Sequence, residues 1–138
     1  MAYWVVKTEP GAWSWDDQVA AGTTNWDGVR NPQASGNLKA MRVGDRVFFY
    51  HSGDVRAIFG IVEVTREYYP DPKDKSGRFG MVDLRAVAPL PQPVTLAAIK
   101  ADERFAHLAL VRHSRLSVMP IDEAAWERIC ALGGLATA

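Results

Sequence analysis

Arg46-Val47-Phe48-Phe49-Tyr50-His51-Ser52-Gly53-Asp54, followed by Ala57-Ile58-Phe59-Gly60-Ile61-Val62-Glu63-Val64, is the stretch that decides the fold. Its first run is apolar or aromatic on both alternating faces, which predicts a central strand covered on either side. Ser52-Gly53-Asp54 has turn chemistry, and the second run returns as a long strand, so the pair reads as a hairpin. Gly60 in mid-strand predicts a bulge or a close approach by another segment.

Upstream, Tyr3-Trp4-Val5-Val6-Lys7-Thr8 reads as a strand stopped by Glu9-Pro10-Gly11. Ser14 is placed to cap a short helix through about Ala21, with Asp17 at the capping-box position. Gly22-Thr23-Thr24 then leads into Trp26-Asp27-Gly28-Val29-Arg30-Asn31-Pro32-Gln33-Ala34-Ser35-Gly36-Asn37-Leu38. The apolar residues there follow neither the helical nor the strand period, so the bulk of this stretch reads as a loop, with one or two helical turns at Asn37–Met41. Downstream, Tyr68 to Arg78 reads as a charged, solvated loop, and Met81 to Val87 as a half-buried antiparallel strand. Pro89, Pro91 and Pro93 are expected to break the chain there. Thr95 caps a helix to about Ala101, Arg104–Val111 continues as another, Arg115–Pro120 is a last strand, and Asp122–Ile129 is a last helix ended by Gly133-Gly134. The order predicts an α+β domain: a small curled sheet or partly open barrel flanked by short helices.

At 138 residues the chain reads as one domain, 1–138, with room for a real core. Its apolar runs are too short to span a membrane, and no secretory leader precedes Tyr3, so a cytosolic, nucleoid-associated or nuclear monomer is expected. A single cysteine excludes an internal disulfide and a cysteine-rich metal site. Net charge is zero, which argues against bulk phosphate binding. Its distribution is uneven, however: residues 28–44 and 104–121 carry arginines and no acid. Side by side, these two windows would form one basic concave face.

Chemistry-bearing groups are few. The three histidines lack metal-ligand spacing, and no glycine-rich phosphate loop occurs, so no metal or cofactor is expected. His51 and Ser52 are adjacent on a strand and point to opposite faces, which disfavours a nucleophile pair. The Trp26–Leu38 stretch instead combines a large ring with amide and guanidinium groups, suited to gripping a flat polar ligand or to a capped loop whose Trp plugs the core.

Four blocks of this sequence, Tyr3-Trp4-x-x-Lys7-Thr8-Glu9-Pro10, Trp26-Asp27-Gly28-Val29-Arg30-Asn31, Val43-Gly44-Asp45-x-Val47-x-Phe49-Tyr50-His51-Ser52 and Arg115-Leu116-Ser117-Val118, resemble the EVE domain family in composition and order. Departures are Thr8, where Ser is usual, and Pro32, where an aromatic is common. The resemblance implies a PUA-like β pseudo-barrel of about five to six mostly antiparallel strands, related to YTH and ASCH domains. It further implies a pocket for a flipped modified base, most often a modified cytosine, in DNA or RNA. By family position that pocket is bordered by Lys7 and Thr8, by Trp26, Gly28, Val29, Arg30 and Asn31, by Tyr50, His51 and Ser52, and by Arg115 with Ser117. Within it, the resemblance suggests Trp26 for stacking, Asn31, Thr8 and the loop backbone for the base edge, and Arg30 and Arg115 for phosphate. Arg30 is equally read as a structural partner of Asp27 or Asp45. If Trp26 belongs to the core, stacking passes to Trp13, Trp15 or Tyr50.

Two functions follow: a non-catalytic reader of modified bases, or a small amidohydrolase of acylated cytosine nucleosides like those of the ASCH fold. Lys7, Thr8 and Glu9 are the acid–base candidates, but consecutive strand residues alternate in facing and do not converge, which favours the reader. Glu63 or Glu67 would have to replace Glu9 in an enzyme. Deacylation of an N4-acylated cytidine separates the two readings.

Overall fold

A computed structural model describes residues 1–135. Six strands form one sheet: β1 (Tyr3–Thr8), β2 (Thr23–Trp26), β3 (Arg46–His51), β4 (Ala57–Pro70), β5 (Gly80–Thr95) and β6 (Val118–Ile121). Their order is β2-β5-β4-β3-β1-β6. All neighbours are antiparallel except β1 and β3, which run parallel. The sheet is open, with β2 and β6 at its edges. Five helices flank it: α1 (Trp15–Ala21), α2 (Pro32–Ala40), α3 (Leu96–Lys100), α4 (Ala109–Arg112) and α5 (Glu123–Leu132).

The hairpin expected at residues 46–64 is β3 and the first part of β4, and β3 is buried from Val47 to His51. Phe48 stacks on Trp126 of α5, with ring centroids 3.8 Å apart. On the opposite face, Phe49 meets the edges of Trp15 and Trp26 at 5.3 and 5.6 Å. The ladder slips at Phe49/Tyr50 and again opposite Ile58/Gly60, and such bulges bend a sheet. Gly60 is where the indole of Trp15 lies directly on the backbone, leaving no space for a Cβ. The Ser14 capping box forms as read: the Ser14 hydroxyl accepts the Asp17 N–H, and the Asp17 carboxylate accepts the Ser14 N–H, each at 3.0 Å.

Four local expectations need correction. Thr23–Trp26 is a strand, β2, paired with β5. Most of the following stretch is helical: Asn31 accepts the Ala34 N–H at 2.9 Å as N-cap, and Pro32 starts α2. Pro fits the first helical turn because its missing N–H has no partner to lose there. The prolines at 89, 91 and 93 do not end the strand; β5 runs on to Thr95. Pro89 pairs with Gly60 and Val94 with Ile58, so Leu90 to Pro93 bulge out of the ladder, where missing N–H groups cost nothing. The charged loop is shorter than read, because β4 continues to Pro70, and its Asp71 is buried.

Replacing Gly60 by Ala should force the Trp15 ring off the sheet. Overpacking of this kind costs roughly 1–3 kcal/mol. A urea-unfolding midpoint unchanged from the parent would show that the contact is slack.

Candidate nucleic-acid interface

The open edges of the sheet decide where the site lies. Thr24, Asn25 and Trp26 on β2 and Ser117, just before β6, line one cavity of about 560 Å³. The two edge strands therefore face each other across the gap that would have closed the barrel. The end of β1 contributes Lys7 and Thr8 to the floor, the loop before α1 contributes Ala12 and Trp13, and Asp27 to Asn31 form a wall with Lys73. Backbone bonds anchor the β1 end on both sides: Lys7 N–H donates to the Ser117 carbonyl at 2.9 Å, and Ser52 N–H to the Thr8 carbonyl at 2.8 Å. A volume in the range of about 300–1,000 Å³ suits a small flat ligand.

The wall from Asp27 to Arg30 is held by one buried carboxylate. Asp71 accepts the Gly28 N–H at 3.0 Å, the Lys73 N–H at 2.8 Å and an Arg30 guanidinium N–H at 3.0 Å. Gly28 has φ of 79°, a left-handed backbone that favours glycine. Burial pushes the Asp71 carboxyl upward, but the two amides and the guanidinium outweigh it and hold the group below its ordinary range. Lys73 in turn pairs with Asp27 at 2.8 Å. Two of the lining cations, Arg30 and Lys73, are thus neutralised within the wall. Lys7 is in no ion pair among the described residues; its ammonium donates to the Ser114 carbonyl at 3.1 Å and lies 5.5 Å from the Tyr50 ring centroid. Burial holds its pKa below the ordinary lysine value.

Two indoles line the cavity and differ in kind. Trp26 is 8% exposed and packs edge-on against Phe49, so it is a core ring with one side on the cavity. Trp13 is half-buried, and its indole N–H donates to Gln18 at 2.9 Å, which fixes the ring plane. Gln18 is itself fully buried and donates to the carbonyls of Gly22 and Leu84.

A family model for the EVE domain matches residues 2–132. The chain belongs to the EVE domain family. The structure of Rpa0253 from Rhodopseudomonas palustris is 52% identical, with a TM-score of 0.94 over 100% of this chain and 97% of that one. Rat thymocyte nuclear protein 1 is 31% identical over 94% of this chain and 73% of its own length. Human THYN1 protein, in complex with 5-methylcytosine-containing DNA, is 28% identical with a TM-score of 0.89, over 97% of this chain and 98% of that one. A YTH domain of Zygosaccharomyces rouxii, at 13% identity and a TM-score of 0.61, shares the fold alone.

In this EVE domain, Lys7, Thr8, Trp26, Gly28, Val29, Arg30, Asn31 and Ser117 come together around the first cavity. Tyr50 and Ser52 do not join them. They line a second cavity on the other side of Lys7, because β3 ends beyond β1 as seen from the gap. His51 lines neither: its Nε2 accepts the Trp15 backbone N–H at 3.0 Å, and its ring stacks on Phe59 at 4.1 Å. Burial lowers its pKa, in keeping with a neutral ring that pins α1 to β3. Arg115 is exposed and lines neither cavity, although the acid-free windows do adjoin, with α2 against β6 and the Asn37 amide on the Val118 carbonyl at 2.7 Å. Arg30 takes Asp71 as its partner, not Asp27 or Asp45; the Asp45 carboxylate instead accepts from Trp4 Nε1, Ala2 N and Arg42 N. Asn31 spends its carbonyl oxygen on the α2 cap, which leaves its Nδ2 as a donor.

Asp27 lies in the Trp26–Asn31 loop that the resemblance puts at the pocket, whereas Asn25 and Lys73 were not legible as site residues. Asp71, which places Lys73 against the wall, lies 43 residues from its partner Gly28 and inside a run of charges. No Lys-Thr-Glu set converges: Glu9 is exposed, Glu63 pairs with Arg85 at 2.9 Å, and Glu67 accepts the Val43 N–H. Among the described residues, no cluster of His, Cys, Asp and Glu is placed to hold a metal ion.

Asp71→Asn should loosen the wall and cost roughly 1–3 kcal/mol, the range for under-satisfied buried hydrogen-bonding groups. The carboxyl is depressed in the folded state, so its stabilisation is complete above the ordinary carboxylate pKa of about 4 and is lost as pH falls through the lower folded value. Urea midpoints of parent and variant should therefore converge below about pH 4. A gap that stays constant into acid would show that Asp71 is not held as a carboxylate.

Proposed function

We propose that this EVE domain reads a single modified base, a modified cytosine, flipped out of a DNA or RNA strand into the first cavity, and that it does so without catalysis. One observation carries the reading: a cavity between two indoles, rimmed by hydrogen-bonding groups of both senses and open at the barrel gap. A flipped base needs a stacking face and partners for its edge. Trp13 supplies the face, and the Trp26 edge with Val29 forms an apolar wall suited to a methyl substituent. Cytosine presents an N4 donor together with N3 and O2 acceptors. Asp27 is the carboxylate on the lining and suits N4, while Lys7, Thr8 and the Asn31 Nδ2 suit the acceptors. The complex of the human relative with 5-methylcytosine-containing DNA supports this reading at the level of ligand class.

The decisive experiment is a titration of single-stranded and duplex oligonucleotides that differ in one modified base. Selective tightening for one cytosine modification is expected; equal affinity across the panel overturns the proposal. Salt dependence should be shallow, equivalent to about two to four phosphates, because the chain is neutral overall.

The two indoles should separate in paired measurements. Trp13→Leu should lose roughly 1–3 kcal/mol of binding to the modified strand, about 5- to 150-fold, with a stability loss of about 1–3 kcal/mol from the Gln18 oxygen it leaves unpaired. Trp26→Ala should instead cost about 3–5 kcal/mol of stability. A Trp13→Leu protein that binds as tightly as the parent would remove Trp13 as the platform.

A further inference from the structure

Behind Lys7 lies the second cavity, of about 380 Å³, which the base site does not use. Three cations from three separate segments line it: Lys7 on β1, Arg56 in the β3–β4 turn and Lys100 at the end of α3. No lining residue is acidic, in a chain with as many acids as bases. None of the three cations is in an ion pair among the described residues. Tyr50, Ser52 and Ser114 line it as well, together with apolar Leu96, Leu110 and Val111. A concave, partly apolar wall with one sign of charge focuses the field on whatever enters.

Arg56 is the most informative member. It is the non-glycine residue with positive φ among the described residues, at 48°. Such a conformation is disfavoured for a long side chain and persists where the surroundings hold it. Its carbonyl accepts the Leu96 N–H at 2.8 Å, and its own Nε donates to the Gly53 carbonyl at 3.0 Å. Both terminal guanidinium nitrogens are left without a protein partner among the described hydrogen bonds. A guanidinium fixed through Nε with its outer edge free is arranged to grip two oxygens of one anion.

We propose that this cavity seats a backbone phosphodiester of the strand whose base occupies the first cavity. Arg56 and Lys100 hold the phosphate oxygens, and Lys7 stands on the shared wall between phosphate and base. The inference rests on the base-reading proposal, since it is the shared Lys7 wall that makes the two ligands neighbours on one strand. It also gives Tyr50 and Ser52 a place in binding that does not require them to touch the base.

The test uses the whole chain and a single-stranded DNA oligonucleotide carrying one 5-methylcytosine. A neutral methylphosphonate is placed at the linkage immediately 5′ or 3′ of that nucleotide. One of the two substitutions should weaken binding to the parent protein about tenfold, the size of one lost charge-assisted contact. In the Arg56→Gln, Lys100→Gln double variant, the same substitution should cost almost nothing further. The slope of log K against log salt should fall by about one. Both side chains are exposed and in no ion pair among the described residues, and Lys100→Gln alone serves if the double variant melts early. Discrimination between methylated and unmethylated strands should survive the double substitution.

If neither linkage matters, or the full penalty persists in the variant, the phosphate site is overturned while the base reading stands. If the linkage penalty appears but methylation makes no difference, the base reading fails and the phosphate site stands. Binding of inorganic phosphate that the variant abolishes, with no linkage penalty, would mark a free-anion site and overturn the proposal.

Discussion

Everything in this fold leans on β3 being covered on both faces. Phe48 is stacked on Trp126, while the neighbouring Phe49 points the other way between Trp15 and Trp26. One dipeptide thus ties α5 to one face of the sheet and the start of α1 and the end of β2 to the other. The edge-on pairs of Phe49 add about 0.5–1.5 kcal/mol each beyond the area they bury. The glycine at position 60 completes the arrangement, since Trp15 reaches Phe49 by lying across the backbone of the next strand. A side chain there would displace the ring that positions α1, and with α1 the Gln18 that orients Trp13.

The parallel pairing of β1 with β3 explains why the site lies where it does. A parallel pair cannot be joined by a tight turn, so the chain must leave the sheet and return. The excursion here holds α1, β2 and α2, and β2 comes to rest on the far edge, against β5. The crossover consequently brings one sheet edge round towards the other, with α2 packed on β6, β5 and β4 between them. A closed barrel would have buried this region. An open one leaves backbone, side chains and space at the same place, where a ligand can enter.

Legibility followed the strength of local physics. The β3–β4 hairpin and the Ser14 cap were readable because apolar runs and a side-chain cap act within a few residues. Helix α2 was not, because its buried residues are Ala34, Ser35 and Leu38, and Ser35 disguises the apolar period. The prolines of β5 were read as a stop because proline cannot donate to a ladder, yet Pro91 and Pro93 sit in a bulge that leaves the ladder, where the Gln92 N–H donates to the Gly133 carbonyl instead. Asp71 was hidden among charges, and burial of a carboxylate is visible only once Gly28, Lys73 and Arg30 converge on it. Eight of the residues named by family resemblance line one cavity. The resemblance did not separate the two indoles or show that Tyr50 and Ser52 belong behind Lys7, since both distinctions depend on which way a side chain packs.

The charge distribution then acquires a physical sense on the proposed reading. Attraction to phosphates is the same for a modified and an unmodified strand, so it adds affinity without discrimination. In the first cavity, Arg30 and Lys73 are spent on Asp71 and Asp27, where they build the wall rather than recruit nucleic acid. Arg30 remains 38% exposed, so its pair is partly screened, and its main effect is to satisfy a buried carboxylate. Lys7, Arg56 and Lys100, none of them in an ion pair among the described residues, gather at one cavity that has no acidic lining. On that reading, a chain of zero net charge has weak affinity for unmodified polymer and a local cluster of three cations at the second cavity. On the proposed reading, the difference between bases is left to the fit between Trp13, Trp26 and the edge groups of the cavity.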